Sequence, residues 1–269
     1  MHARDDMNGM DNAESPKVSI AAPFDLTGWL DEPNRASQDV RRQGFALLSA
    51  TGVAATARAA TQDIVDLAPA WEDLPADEHL RDGGRYRFRR HGSYVLATTG
   101  ALTRVAHRAH WQPREYNALH GGIERWFAPL EPALDASNAW NGLIAGVGAL
   151  FSAVAGTRPW YVEAHQFRID TASGIGRPTP EGAHRDGVDF VAVIIVSRYL
   201  IKGGETRVFE EQGNRGVRFT IEAPWSALLL DDHRVVHETT PIQPAATAAG
   251  HRDTLVLTYR AKGFLDAQV

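Results

Sequence analysis

The chain has 269 residues, 43% of them hydrophobic, which is ample for one substantial core, and a formal net charge of −5. That charge leaves no basic footprint and weighs against nucleic acid or an anionic membrane as partner. The absence of cysteine excludes disulfides, thiolate metal sites and cysteine nucleophiles, fits a reducing cytoplasm, and leaves any metal to His, Asp and Glu.

The opening MHARDDMNGMDNAESPKVS is polar and acidic with no apolar centre, so residues 1–20 are expected to form a disordered tail, not a signal or anchor. Residues 21–269 read as a single domain, helix-rich over 21–156 and β-rich over 157–262. Between residues 24 and 50 a helical segment leads into GFALLSA, a short buried-strand pattern, and AATARAATQDIVDLA (54–68) has helical spacing throughout. The turn signal Asp82-Gly83-Gly84 then precedes RYRFRRHGSYVL. As a strand, this stretch puts Arg85, Arg87 and Arg89 on one face and Tyr86 and Phe88 on the other. Three guanidiniums on one side suit an acidic ligand. The plainer reading is a solvent-facing strand braced by Asp and Glu from the loop before it.

A long helix is expected from Ser137 to Ala155. Its Gly142, Gly146 and Gly148 mark close packing, because glycine is otherwise costly inside a helix. The longest apolar stretches fall short of the ~20 residues of a membrane helix. Beyond Gly156 come YVEAHQFRID, VDFVAVIIVSRYL, TRVFE, VRFTIEA, WSALLLDD and RDTLVLTYR, all strand-like. Turn clusters such as SGIGRPTPEG, KGGE and EEQGNRG separate them, the pattern of a β-sandwich or barrel. No repeat or low-complexity linker divides the halves.

The chemistry concentrates in PTPEGAHRDGVDF, where a Pro/Gly-rich turn meets the apolar run VAVIIV. His184 and Asp186, at i and i+2 of a strand start, would point to the same side. Non-haem iron takes two neutral imidazoles and one carboxylate on one face, leaving the other open. The alternative is the polar rim of a buried strand. A third ligand would come from His233, His237 or His251, of which His237 is preferred because LLLDDHRVVHETTPI looks ready to re-enter the sheet there. In HRDTLVLTYR, Arg252 and Thr254 share a strand face. A planar guanidinium beside a hydroxyl makes a good carboxylate clamp, although an Arg252 paired to Asp253 or Asp232 would be ordinary.

The ordered set H-x-D, His, R-x-T resembles that of the iron(II)/2-oxoglutarate-dependent dioxygenases, in particular the bacterial amino-acid hydroxylases that include the isoleucine dioxygenases. The stretches GGRYRFRRHG, YNALHGGIERWFAPL, EAHQFRI, PTPEGAHRDGVDFV, KGGETRVFE, LLLDDHRVVHETTPI and HRDTLVLTYR carry the likeness, from about residue 83 to 260. It implies a mainly β (α+β) fold: a double-stranded β-helix, the cupin-like jelly roll, flanked by N-terminal helices. It also implies His184, Asp186 and His237 as iron ligands, and Arg252 with Thr254 on the distal carboxylate of 2-oxoglutarate, with Arg260 in reserve. The cofactors would be Fe(II), 2-oxoglutarate and O2, with succinate and CO2 as co-products. Related halogenases lack the Asp186 carboxylate, so its presence implies hydroxylation.

The implied substrate is a hydrophobic L-amino acid, free or N-acylated, for example N-succinylated. Arg85, Arg87 and Arg168 are candidates for its carboxylate, while no Asp or Glu stands out for an ammonium group. A homo-oligomer is compatible with the sequence. The alternative function is a catalytically silent metal-binding jelly roll serving as a small-molecule sensor or carrier. A cofactor-free hydrolase lacks its G-x-S-x-G elbow.

Overall fold

The computed structural model describes residues 28–117 and 119–267, so the tail expected over residues 1–20 lies outside the described residues. Helix α1 (Pro33–Gln43) leads into strand β1 (Phe45–Leu48). The single helix expected over 54–68 is instead three short pieces: α2 (Ala50–Ala57), α3 (Thr61–Val65) and a 3-10 turn (Ala68–Trp71). Arg58 closes α2 in a left-handed conformation (φ +53°), and Pro69 lacks the N–H that an α-helix would need. Strands β2 (Arg87–Leu96) and β3 (Leu102–Arg104) follow, then α4 (Pro132–Asp135) and α5 (Asn138–Ala155). Ser137 caps α5 by accepting the Trp140 N–H.

The remainder is β: β4 (Trp160–Asp170), β5 (Phe190–Tyr199), β6 (Ile201–Gly203), β7 (Thr206–Glu210), β8 (Gly216–Phe219), β9 (Ala227–Asp231), β10 (Val235–Thr239), β11 (Ile242–Pro244) and β12 (His251–Arg260). Seven strands form an antiparallel sheet in the order β1-β9-β5-β12-β4-β2-β3. A second sheet runs β10-β7-β8, and β11 pairs with β6. This is the jelly-roll core with flanking helices that the sequence implied.

Strand periodicity decides what each face of the large sheet does. Toward the helices, Val162 and Ala164 of β4 and Leu255, Leu257 and Tyr259 of β12 join the main core with Tyr94 and Leu96 of β2. Helix α5 lays Trp140, Leu143, Ile144, Val147 and Phe151 against them. Burying each such side chain contributes roughly 1.5–3 kcal/mol. By length and mean hydropathy (18 residues, 1.2) α5 could cross a membrane, closer to that limit than the sequence reading allowed, yet its apolar face is spent on the sheet. On the opposite face, Phe45, Leu47, Val191, Leu228 and Leu230 pack with Val208 and Val235 of the smaller sheet. Further along that same face, between β2, β4, β12 and β10, the apolar filling stops and a cavity opens.

Candidate active site

His184 and His237 are neighbours because the backbone pairs them. Each donates its N–H to the other's carbonyl at 3.0 Å, an isolated antiparallel bridge that sets the two rings 4.7 Å apart. The expected strand start is displaced: β5 begins only at Phe190, and His184 to Asp189 form an irregular segment ahead of it. Asp186 is turned in by Gly187, which takes φ +77° and sits so close to Tyr116 that an added Cβ would lie 2.5 Å from its ring. Asp232, in the turn between β9 and β10, holds this segment. Its carboxylate accepts the N–H of Asp186 (2.9 Å), Gly187 (2.8 Å) and Val188 (3.1 Å).

Ligand atoms of His184, Asp186 and His237 lie within 4.8 Å of one another. The His184 Nδ1–H donates to the Gly182 carbonyl at 2.9 Å, so Nε2 is the nitrogen left for a metal. Despite burial, Asp186 and Glu181 raise the ring's pKa, so binding a metal there would displace a proton. Burial and the nearby His184 hold His237 well below the usual histidine range, hence neutral. Burial raises the pKa of Asp186, with Glu181 adding repulsion against the opposing pull of His184, as expected of a buried carboxylate short of positive charge. Two imidazoles able to present lone pairs and one such carboxylate fit a divalent metal bound on one face. His233 is exposed in the β9–β10 turn beside Asp189, and His251 leans on Asp253; both lie outside the cavity.

Arg252 and Thr254 project into the cavity from β12, sharing a face as expected. Arg252 is 4% exposed; its guanidinium makes no hydrogen bond or ion pair among the described residues, and its Nε is buried without a partner. Burial, with repulsion from Arg198, pushes its pKa down to about 9. A buried guanidinium without an anion is a cost that a bound carboxylate would relieve. Arg260, at the far end of β12, donates to the Gly263 carbonyl and stays out of the cavity.

The three arginines expected near a substrate separate. Arg87 lines the cavity and is buried, so the solvent-facing reading of that strand is corrected. The bracing carboxylate is real: Asp77, from the preceding loop, accepts from Arg87 Nε at 2.7 Å. Arg85 precedes β2, is exposed and stays outside. Arg168 also stays outside, because on β4 it has the parity of Val162 and Ala164. It points to the helix side of the sheet and forks onto Asp253 through two 2.8 Å bonds.

Sequence reasoning missed Arg125, Gln112, Glu181 and the pair Glu163 and His165. Arg125 is 2% exposed, lines the cavity and has no carboxylate partner among the described residues. A lone arginine in the apolar run GIERWFAPL was the available signal. Glu181 Oε2 is likewise buried without a partner, three residues before His184.

A second group, His91, His110, Glu163 and His165, also brings ligand atoms within 4.8 Å. Much of its hydrogen-bonding capacity is spent within the group, although His91 Nδ1 is buried without a partner. Glu163 faces His91 Nε2 (3.1 Å) and His110 Nδ1 (3.2 Å) and accepts from Arg108 (3.2 Å). His165 Nδ1 accepts from Arg89, whose guanidinium lies between the rings of Phe127 and Phe167. With cations crowding its one carboxylate, this is a structural polar network beside the cavity.

No curated protein sequence gives a significant match. Among solved structures, the chain is similar to a BsmA homologue from Methylobium petroleophilum PM1, with 49% identity, a TM-score of 0.85, and 91% of this chain and 99% of that one covered. IDO from Bacillus thuringiensis shares the fold at 14% identity (TM-score 0.69; 88% and 98% covered). So does the Fe(II)/α-ketoglutarate-dependent dioxygenase TqaL, at 17% identity (TM-score 0.64; 85% and 86% covered). The model of the 2OG-Fe dioxygenase family matches residues 68–258. The chain therefore belongs to the 2OG-Fe dioxygenases, enzymes that work with Fe(II), 2-oxoglutarate and O2.

Proposed function

We propose that this dioxygenase hydroxylates the side chain of a hydrophobic L-amino acid, free or N-acylated. In this reading His184, Asp186 and His237 hold the iron, and Arg252 with Thr254 holds the distal carboxylate of 2-oxoglutarate. The observation that carries the substrate class is a set of atoms without partners, on side chains of opposite sign that are otherwise held in place, in one cavity. Arg87 Nη2 and Arg125 Nε are buried donors without acceptors, and Glu181 Oε2 is a buried acceptor without a donor. A carboxylate on the arginines and an ammonium or amide N–H on Glu181 would satisfy all three. Phe167, Ile169, Val188, Val193 and Val256 supply an apolar wall for the side chain.

Bound at the triad, Fe(II) supplies the oxygen activation that couples decarboxylation of 2-oxoglutarate to hydroxylation. The chain's own residues position and exclude. Arg252 neutralises the co-substrate's far end, and the apolar wall keeps water from the reacting carbon. His237 stays neutral toward the metal, His184 would give up its Nε2 proton on binding it, and Asp186 supplies the negative charge.

The test is a screen for succinate release over free, N-acetyl and N-succinyl L-amino acids, with mass detection of a product heavier by one oxygen. Succinate should form only with Fe(II), 2-oxoglutarate and a hydrophobic substrate, and His184→Ala and Asp186→Ala should abolish it. Full activity in either variant would overturn the ligand assignment. Binding of 2-oxoglutarate without turnover across the panel would favour a sensor instead.

A further inference from the structure

Gln112 lies between the metal triad and the cavity arginines, and its amide can face only one way. Its Oε1 accepts from Arg125 Nη2 at 2.9 Å and from Asn117 Nδ2 at 3.3 Å. Both are obligate donors, so the oxygen must point at them and the NH2 must point away. On that side the available acceptors belong to Asp186: its carbonyl, 3.3 Å from Nε2, and its carboxylate Oδ1, 3.5 Å away. The residue is buried, 6% exposed, so the amide has no bulk water to turn to. Its own carbonyl accepts from Gly122 N–H at 2.8 Å, which anchors it to the segment that also bears Arg125. Asp186 Oδ2, the other carboxylate oxygen, lies 3.9 Å from His237 Nε2. The carboxylate thus has one oxygen turned to Gln112 and the other toward the histidines.

We propose that Gln112 is a positioning residue for Asp186: fixed by Arg125, it holds Oδ1 so that Oδ2 is presented to the metal, and it ties the metal ligand to an arginine of the substrate cavity. The proposal rests on the reading of His184, Asp186 and His237 as the metal site. Hydrogen-bonding partners of this kind typically set metal affinity by 10–100-fold. The chain Arg125–Gln112–Asp186 also gives an anion on Arg125 a physical route to the metal ligand, because the anion competes for the donor that orients the amide.

The test uses Co(II) with the full-length protein under anaerobic conditions, read by visible ligand-field absorption and by titration, with no substrate required. Gln112→Met keeps the volume and removes both hydrogen-bonding ends; Gln112→Asn keeps an amide too short to bridge and serves if the first variant melts early. Each should weaken Co(II) about tenfold or more and shift the absorption bands. Arg125→Met, which leaves only Asn117 to hold the amide oxygen, should weaken it by a smaller factor. The double variant Gln112→Met/Arg125→Met should be no weaker than Gln112→Met alone. Wild-type affinity and bands in a folded Gln112 variant would overturn the proposal, as would strictly multiplicative effects in the double variant. If the wild type fails to bind Co(II), or His184→Ala binds it equally well, the metal reading itself falls, a result separable from failure at Gln112.

Discussion

Arg252 shows what it costs to bury a guanidinium without an anion beside it. Its guanidinium is buried, without an ion pair among the described residues, and repelled by Arg198, so it bears a desolvation cost that the attraction of Asp253 offsets only in part. Arg252→Met fills similar space without the charge. Its ligand-free melting temperature should equal or exceed that of the wild type, while 2-oxoglutarate affinity measured by calorimetry should fall at least tenfold, the loss of a charge-assisted pair. A variant that melts well below the wild type would mean that Arg252 has a structural partner. This residue was legible in the sequence because period-two parity put it beside Thr254 on β12. The same rule explains why Arg168 does not join it. Arg168 pairs in register with Asp253, one position out of phase with Arg252 and Thr254, and no motif announced which face of β4 was which. Arg125 and Gln112 were hidden for a different reason. They sit in an irregular segment brought to the cavity by the bridge between His110 and Arg125, and no periodicity links such residues to a site.

Among the elements, α5 carries the sharpest sequence signal and the tightest packing. Its boundaries and its glycines were readable in advance, since three glycines inside an apolar helix mark close packing: Gly142 and Gly146 against backbone, Gly148 against the Leu96 side chain. The partner supplies the reason: a Cβ on Gly146 would lie 1.9 Å from the Thr56 carbonyl oxygen, and one on Gly142 would lie 2.3 Å from that of Ala57. Both obstacles are α2 backbone, which cannot swing aside as a side chain can. Gly146→Ala gains about 1 kcal/mol of helix propensity but forces α2 and α5 apart, and overpacking of this kind costs about 1–3 kcal/mol. The overpacking should win. We expect a lower thermal midpoint, by roughly 2–4 °C for each kcal/mol lost in a chain of this size. A higher midpoint would show that α2 can yield. The break between α2 and α3 was less legible, because AATARAATQDIVDLA satisfies helical spacing throughout and only tertiary packing stops it at Arg58.

For the whole molecule, the face of the large sheet that opens into the cavity is built from charged and titratable residues, and that sets a pH limit on the fold. His91, His110, His165 and His237 are all held below the usual histidine range, each mainly by burial; His110 is brought down to about 4. They therefore take up protons at lower pH in the native state than in the unfolded chain, whose ordinary values lie near 6.5. Through these four groups the native state binds fewer protons than the unfolded one, so their contribution to stability falls as pH drops from about 6.5 toward 4. Asp232, which burial and Asp186 push up to about 7, and His184, raised despite burial by Asp186 and Glu181, act in the opposite sense. His110 alone accounts for about 3 kcal/mol over its shift, at about 1.4 kcal/mol per unit. Glu163 extends the loss to lower pH. Despite its burial, His110 and His91 hold its carboxyl well below the usual range, so its contribution is present above about 4.5 and disappears as the pH falls further. Urea unfolding with a chelator present should show stability declining steeply between pH 7 and pH 5. His110→Asn keeps a neutral donor toward Glu163 but cannot take up a proton, so its profile should be flatter than that of the wild type. Equal slopes for the two proteins would show that the network beside the cavity does not govern acid stability.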